Sequence, residues 1–412
     1  MEAWWQCEVP YPFVPKAVLD ATDSVRASLP NRYCDPKIAA DLFEETLDEY
    51  LLCDDLGVNV GVIEHHAGIN SLIGSNPMIV GILARQTRKV RILSLGTLIS
   101  LRREPVRIAE EYATADVLSR GRLEIGFVKS GGSEFASANA NPINNVERYW
   151  EAIDLIGATL TRHDGPFSWE GKHFTHRHVN IWPRPWQERI RMWAATGDPH
   201  TAAEVGRRGM VHTLVLRGID GTRRAYGAYR EARAAAGLPP VSLDNFAYTA
   251  FVSVGDTDEE GLRGGEKLLW FLNTSLKTAP QMSTLMPGVS PPHVAGQAWR
   301  TRPKAAADSA PNLVNAEKGV ASAWRNAQAF TSMTPEKAMA MGVMFAGSPD
   351  TVYNQIRHFH DAVGGFGHLT MVARSGFMTH AESEKNIRLF AREVLPRLKE
   401  IAPPTDRSDA AQ

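Results

Sequence analysis

The sequence has little of what three large classes of protein require. It contains 3 cysteines among 412 residues, an odd number without metal-ligand spacing, which argues against a disulfide framework and favours a reducing compartment. Its formal net charge of -1 provides no basic surface for nucleic acid, whose binding depends on neutralising phosphates. It has no apolar run of the roughly 18 residues that a membrane span needs, and no basic and apolar leader follows Met1. We therefore expect a cytoplasmic protein with a small-molecule partner and with no nucleic-acid or membrane partner.

The sequence also lacks the Gly-x-Gly-x-x-Gly turn that follows the first strand of a dinucleotide-binding sheet. It has instead an alternation of strand-like and helix-like segments, which calls for right-handed crossovers and a parallel sheet. The predicted strands are an aromatic N-terminal segment near Trp4 and the runs Val58 to Ile63, Val90 to Leu95, Leu123 to Val128, Met192 to Ala195, Val211 to Leu216, Phe246 to Val254 and His368 to Ala373. This α/β pattern fits a (β/α)8 TIM barrel better than an open doubly wound sheet.

One segment does not fit the repeat. Residues 278–334 are rich in Ala, Gly and Pro and are too long for an ordinary connection. We interpret them as an insertion, or lid, at the C-terminal face of a single barrel domain that spans residues 1–412. A loose surface insertion is the alternative.

The triplet Glu64-His65-His66 ends the second predicted strand. Side chains alternate along a strand, so Glu64 and His66 should share one face while His65 points to the other. In a barrel, the C-terminal strand ends form the floor of the active site. A hydrogen-bonded core pair is the alternative for these residues. A metal site is not expected, because adjacent ligands on alternating faces suit one ion poorly and no His-x-x-x-His motif accompanies them.

Several short motifs occur in a characteristic order along the chain. They are Glu64-His65-His66, Asn76-Pro77, Pro105 to Glu111, Asp116 to Arg122, Trp169 to Phe174, Pro183-Arg184-Pro185, Met192 to Gly197 and Gly347-Ser348-Pro349. No single motif is specific, but their order and spacing together resemble the bacterial luciferase-like flavin monooxygenases. The resemblance covers most of residues 50–215 and 345–400.

The resemblance implies a flavin-dependent monooxygenase. Members of the family look like barrels that bind reduced flavin (FMNH2) across the C-terminal face and use dioxygen as a co-substrate. The resemblance implies a C4a-hydroperoxyflavin in a shielded pocket, which hydroxylates or oxidatively cleaves a small organic substrate. It implies His65 as the catalytic histidine, since imidazole titrates near neutral pH, with His66 as pocket wall and Glu64 as an orienting neighbour. A separate NAD(P)H-dependent flavin reductase and a homodimer are further implications.

The flavin phosphate needs cations or backbone donors, preferably at a helix N-terminus. The candidate cofactor-binding residues after the fourth and fifth predicted strands are Lys129, Ser130, Thr196, Gly197, Asp198 and Thr201. Asp198 has an alternative role as N-cap of the helix that begins at Pro199. The resemblance also implies a non-prolyl cis peptide bond under the flavin ring at Leu98-Ile99, which makes Ile99 a further cofactor-binding candidate.

Two departures from the family pattern argue against light emission. Val128 stands where the light-emitting enzymes have a reactive cysteine, and Glu104 stands before a proline where the family often has histidine. Two alternative functions stay open on the same barrel. One is a deazaflavin (F420)-dependent oxidoreductase that transfers hydride without oxygen. The other is a non-catalytic flavin-binding partner subunit, against which the retained His65 argues.

Overall fold

The computed structural model describes residues 1–22, 24–26, 28–66, 68–102, 104–130, 132–138, 140, 145–197, 199–275 and 333–401. The strands are β1 Glu2–Cys7, β2 Asn59–Val62, β3 Ile92–Thr97, β4 Leu123–Phe127, β5 Phe167–Glu170, β6 Thr175–Val179, β7 Met192–Ala195, β8 Val211–Val215, β9 Phe246–Val254, β10 Met344–Gly347 and β11 His368–Val372. The α-helices are α1 Lys16–Ala21, α2 Pro36–Leu56, α3 Asn76–Gln86, α4 Pro105–Ser119, α5 Gly132–Ser137, α6 Asn145–Thr161, α7 Pro199–Arg207, α8 Gly218–Ala235, α9 Asp258–Leu268, α10 Pro335–Ala340, α11 Pro349–Val363, α12 His380–Leu389 and α13 Leu395–Ile401.

Eight of the strands close into a parallel ring. Its order is β1-β2-β3-β4-β7-β8-β9-β11, and β11 pairs with β1 to complete the barrel. The predicted (β/α)8 barrel is therefore confirmed. Two features were not predicted as strands: β10, which pairs in parallel with the end of β9, and the antiparallel hairpin of β5 and β6.

Helix boundaries follow local chemistry. The helix α2 begins where the Asp35 side chain accepts a hydrogen bond from the Lys37 backbone N–H at 2.8 Å, with Pro36 at the first helical position. It ends at Gly57, whose φ of 72° is the left-handed conformation that glycine adopts without a Cβ penalty. The chain can then turn directly into β2, which carries the histidine pair at its far end.

The N-terminal end of the barrel is closed by buried aromatic and polar side chains. Trp4 packs edge-on against Trp193 with ring centroids 5.4 Å apart, and its indole N–H donates to Nδ1 of His368 at 3.2 Å. The other ring nitrogen of His368 lies 2.7 Å from Asp244 Oδ1, and Arg191 pairs with the same carboxylate. These side chains fill the N-terminal end of the barrel interior, and barrels of this type bind their ligands at the C-terminal face.

The two ends of the long segment between α9 and α10 are joined. Asn273 donates from Nδ2 to the carbonyl oxygen of Met333 and accepts from the Met333 backbone N–H, both at 3.0 Å. Residues 276–332 lie outside the described residues, and with them nearly all of the segment predicted as a lid, residues 278–334.

Candidate active site at the C-terminal strand ends

Glu64 follows β2 and is completely buried. Its Oε2 accepts hydrogen bonds from the Asn76 backbone N–H at 2.9 Å and from Arg102 at 3.0 Å, and its Oε1 lies 3.3 Å from Nε2 of His66. Burial alone would raise the pKa of Glu64, but the His66 hydrogen bond, the Arg102 charge and the Asn76 N–H together hold it below its usual value. The same Glu64 hydrogen bond raises the pKa of His66. Glu64 therefore orients His66 and anchors the start of α3.

His65 turns the other way, as the strand alternation predicts. Its Nδ1 lies 3.2 Å from Oε1 of Glu134, the same oxygen that accepts the His66 backbone N–H at 3.0 Å. Its Nε2 lies 3.9 Å from Oε1 of Glu8, whose other oxygen accepts from the Asn70 amide at 3.0 Å. Glu8 follows β1 and Glu134 lies in α5 after β4. Three strand ends thus bring two carboxylates to one imidazole.

The sequence pattern does not single out Glu8 or Glu134. A rule that could have found them is to list every carboxylate that follows the C-terminal end of a predicted barrel strand. Both are almost fully buried. Burial lowers the pKa of the nearby Arg26, while the charges of Glu8 and Glu134 act to raise it. A cation therefore accompanies the two carboxylates.

The predicted phosphate-binding residues lie at the neighbouring strand ends. Lys129 donates from Nζ to Thr201 Oγ1 at 3.0 Å, and its ammonium lies 5.7 Å from the ring centroid of Tyr149. Ser130 Oγ is buried and has no hydrogen-bond partner among the described residues. Asp198, the other predicted member of this group, lies outside the described residues.

A cavity of about 400 Å³ joins the histidine to this cationic group. It is lined by Ile63, His65, Val128, Lys129, Ala195, Thr196, Gly197, Val215 and Arg217. Arg217, which follows β8, was not predicted from the sequence; its guanidinium lies so close to Gly197 that a Cβ there would come within 1.8 Å of Nη2. The cavity therefore has an imidazole, two cations and apolar walls, and its volume falls within the ~300–1,000 Å³ typical of small-molecule sites.

A larger cavity of about 580 Å³ lies elsewhere, between the C-terminal ends of α3 and α4. In it, Arg122 donates to the carbonyl oxygens of Ala84, Thr87 and Ser119. These bonds satisfy helix-end carbonyls at the N-terminal face of the barrel, so the cavity has a structural explanation and no link to the histidines.

The predicted position of the cis peptide bond is wrong. The non-prolyl cis bond joins Leu95 and Gly96, within β3, and Leu98-Ile99 is trans. Gly96 lies against Gly126 of β4, where a Cβ would come within 2.7 Å of the Gly126 carbonyl oxygen, so this close approach requires glycine. Ile99 is buried, and its N–H donates to the Thr97 carbonyl at 2.8 Å; it does not line the cavity.

Within the described residues, no group of three or more His, Cys, Asp or Glu side chains is arranged to hold a metal ion. In the same part of the chain, every helix is too short or too polar to cross a bilayer.

Comparison with known sequences points to one family. A profile described as Luciferase-like monooxygenase matches residues 35–364. Over 174 residues, the chain is 27% identical to the oxygenase component of the flavin-dependent trigonelline monooxygenase of Acinetobacter baylyi. The aligned region covers 41% of this chain and 48% of that protein. Over 237 residues, it is 26% identical to the N-acetyl-S-alkylcysteine monooxygenase of Bacillus subtilis. This aligned region covers 54% of this chain and 65% of that protein. The alignments thus span about half to two thirds of these relatives.

Solved structures share the whole fold. The monooxygenase RslO1 of Streptomyces bottropensis has a TM-score of 0.69 at 22% identity, covering 96% of this chain and 99% of that one. The 3,6-diketocamphane monooxygenase of Pseudomonas putida, in complex with FMN, scores 0.66 at 17% identity, covering 96% and 98%. An F420-dependent secondary alcohol dehydrogenase scores 0.65 at 16% identity, covering 97% and 99%. At these identities the likeness shows the fold.

Proposed function

Because the chain belongs to the luciferase-like monooxygenase family, we propose that it is a monooxygenase that uses reduced FMN and dioxygen to hydroxylate or oxidatively cleave a small organic substrate. The observation that carries the proposal is that His65 lines one part of a cavity wall and that Lys129, Thr196 and Arg217 line another part of the same cavity. A flavin mononucleotide has the matching polarity, with a largely apolar ring system and a dianionic phosphate.

The residues present fit that cofactor. Lys129 and Thr201 are already hydrogen-bonded to each other and offer a cation and a hydroxyl for phosphate oxygens. The Ser130 hydroxyl, buried without a partner among the described residues, is a donor that a phosphate would satisfy. Apolar side chains of Ile63 and Val128 line the same cavity and suit a flat ring.

His65 has the proton-transfer role in this proposal. When bound, the reduced flavin supplies the electrons that activate dioxygen. The imidazole can donate to, or accept from, an oxygen atom in the cavity, because one ring nitrogen is held by Glu134. The apolar residues that line the cavity lie at or just after the C-terminal ends of β2, β4, β7 and β8. His66 and Glu64 support the strand end behind it.

Two comparisons support the partners in this proposal. The Acinetobacter relative is named as an oxygenase component, which supports a separate NAD(P)H-dependent flavin reductase as the source of reduced FMN. The Pseudomonas structure contains FMN, which supports FMN as the flavin. A homodimer and a cytoplasmic location remain part of the proposal on the family resemblance and the composition alone.

A deazaflavin-dependent hydride transfer is the second candidate function. The observation that favours it is the F420-dependent alcohol dehydrogenase with nearly complete structural coverage. The non-catalytic partner subunit is disfavoured, because His65 keeps a carboxylate partner and faces the cavity.

An oxygen-uptake assay separates the two functions. The protein is incubated with a generic flavin reductase, NADH and FMN, and a panel of small organic compounds is analysed for the gain of one oxygen atom. Oxygenated product supports the monooxygenase. Reduction of F420 by an alcohol without oxygen, and with no oxygenated product in air, would overturn it.

The variant His65→Ala tests the catalytic residue. We expect it to keep the fold and FMN binding but to lose oxygenated product by about 100-fold or more, the usual range for a missing general acid or base. His176→Ala, in the hairpin strand β6 outside the cavity, is the matched control and should keep full turnover. Unchanged turnover in His65→Ala would remove the assignment.

A further inference from the structure

Glu134 holds His65 from a different part of the barrel. His65 follows β2, whereas Glu134 lies in α5 after β4. Its Oε1 lies 3.2 Å from the ring nitrogen Nδ1 of His65 and 3.0 Å from the backbone nitrogen of His66. The side chain is 4% exposed, so water does not compete strongly for these bonds. One buried oxygen is thus tied both to the ring and to the backbone beside it.

The chemistry of this contact decides which nitrogen carries the proton. An ionised carboxylate only accepts hydrogen bonds, so Nδ1 must donate. A neutral imidazole has one N–H, and Nε2 is then left with a lone pair. Glu8 Oε1 lies 3.9 Å from Nε2, which is beyond direct hydrogen-bond length. A ligand oxygen or a bridging water can therefore reach Nε2.

A cation and a backbone N–H lie beside the Glu134 carboxylate. Arg26 is close enough for the charges of Glu8 and Glu134 to act on its pKa. The His66 backbone N–H also points at the carboxylate. A cation and a backbone donor both stabilise the charged form of a carboxyl group.

We infer that Glu134 is a positioning residue that fixes His65 as the Nδ1–H tautomer and makes Nε2 the atom that exchanges a proton with the ligand. The inference rests on the proposed role of His65. In the step, an O–H bond of a group in the cavity breaks, its electron pair stays on oxygen, and the proton forms an N–H bond at Nε2. The positive charge that results on the ring faces the Glu134 carboxylate, and the reverse step returns the proton.

The tautomer can be measured without any flavin. In protein labelled with ¹⁵N-histidine, the His65 signals are assigned by their loss in His65→Ala, and the nitrogen shifts show which nitrogen carries hydrogen above the titration range. We expect Nδ1–H in the wild type. Glu134→Ala should shift His65 to the Nε2–H form that free histidine prefers. Glu134→Gln keeps an acceptor oxygen of equal reach and should retain Nδ1–H, and it also serves if the alanine variant fails to fold.

Turnover supplies the second readout. Without a negative charge opposite the protonated ring, Glu134→Gln should lower kcat by about 10-fold or more while the Kd of FMN changes by less than about twofold. Glu151→Gln is the matched control: this carboxylate also accepts a backbone and a ring N–H, from Phe174 and Trp169, but lies outside the cavity. It should change neither the His65 signals nor kcat.

The two readouts separate the inference from the proposed function. A wild-type Nε2–H tautomer, or a Glu134→Ala tautomer identical to wild type, would overturn the inference whatever the activity. A dependence of the tautomer on Glu134 in a protein that oxygenates nothing would support the positioning and would overturn the monooxygenase. Equal kcat in Glu134→Gln and wild-type enzyme would overturn the role of Glu134 in turnover.

Discussion

Replacing Glu64 by alanine should weaken the folded protein and loosen the strand end that carries His65. The side chain is fully buried, and its two oxygens hold the Asn76 backbone N–H, the Arg102 guanidinium and the His66 ring. Because Asn76 is the first residue of α3, the loop between β2 and this helix depends on the same carboxylate.

The magnitude follows from what the truncation leaves unpaired. The Asn76 amide loses a charge-assisted hydrogen bond, and such bonds contribute about 1.5–3 kcal/mol. Breaking a fully buried ion pair costs about 3–5 kcal/mol. Here the side chains of Arg102 and His66 are 28% and 33% exposed, so both can turn partly to water, which reduces their share. We expect the free energy of unfolding to fall by about 3 kcal/mol.

Urea unfolding followed by circular dichroism measures the loss. Glu110→Ala, which removes an exposed carboxylate paired with Arg107, is the control and should cost less than about 1 kcal/mol. The pKa of Glu64 is lowered in the folded protein. Its contribution is therefore present above the ordinary carboxyl pKa and is lost as the pH falls through the lowered value, so the deficit of Glu64→Ala should shrink in acid. A loss below about 1 kcal/mol at pH 7, or one that does not shrink in acid, would refute the reasoning.

Three further predictions follow from other parts of the molecule. Lys129→Met should weaken FMN binding by about 10-fold, equivalent to about 1.4 kcal/mol, and leave riboflavin binding unchanged in a fluorescence titration; equal weakening of both would count against a phosphate contact. Gly261→Ala should destabilise the fold by about 2 kcal/mol, because its Cβ would lie 2.3 Å from a backbone oxygen of β10. At Gly227 a Cβ meets open space, so Gly227→Ala should be neutral or stabilising by up to about 1 kcal/mol. Similar urea midpoints for the two variants would contradict this. Burial would raise the pKa of Asp244, but the His368 hydrogen bond and a neighbouring arginine outweigh it and lower the pKa to about 2. The loss of stability in Asp244→Asn should therefore be complete above about pH 4 and vanish towards pH 2. A loss that does not depend on pH would disprove this prediction.

The barrel was predictable because its strands are buried on both faces. Such strands appear in the sequence as short apolar runs between amphipathic helices, and the ring of eight strands matches those runs. The strand β10 was not predictable in the same way. It pairs with the second half of β9, from Met344 opposite Phe251 to Gly347 opposite Val254, and that pairing depends on where β9 lies in the closed barrel.

Site residues could be predicted only where their position depends on a single stretch of the sequence. The position of His65 at a strand end follows from its own strand. Its partners Glu8 and Glu134 come from two other strand ends, and their approach depends on the register of β1, β2 and β4 in the ring. The position of the cis peptide bond could not be predicted for the same reason. The contact between Gly96 and Gly126 arises from the pairing of β3 with β4.

The structure of the complex with FMN, determined without oxygen, would show whether the cavity beside His65 holds both the phosphate and the ring system. We predict that the phosphate lies within about 3.5 Å of Lys129 Nζ and Thr201 Oγ1, and that the ring system lies in the same cavity beside Nε2 of His65. A phosphate bound elsewhere, or a ring system with His65 on the far side of a wall, would contradict it.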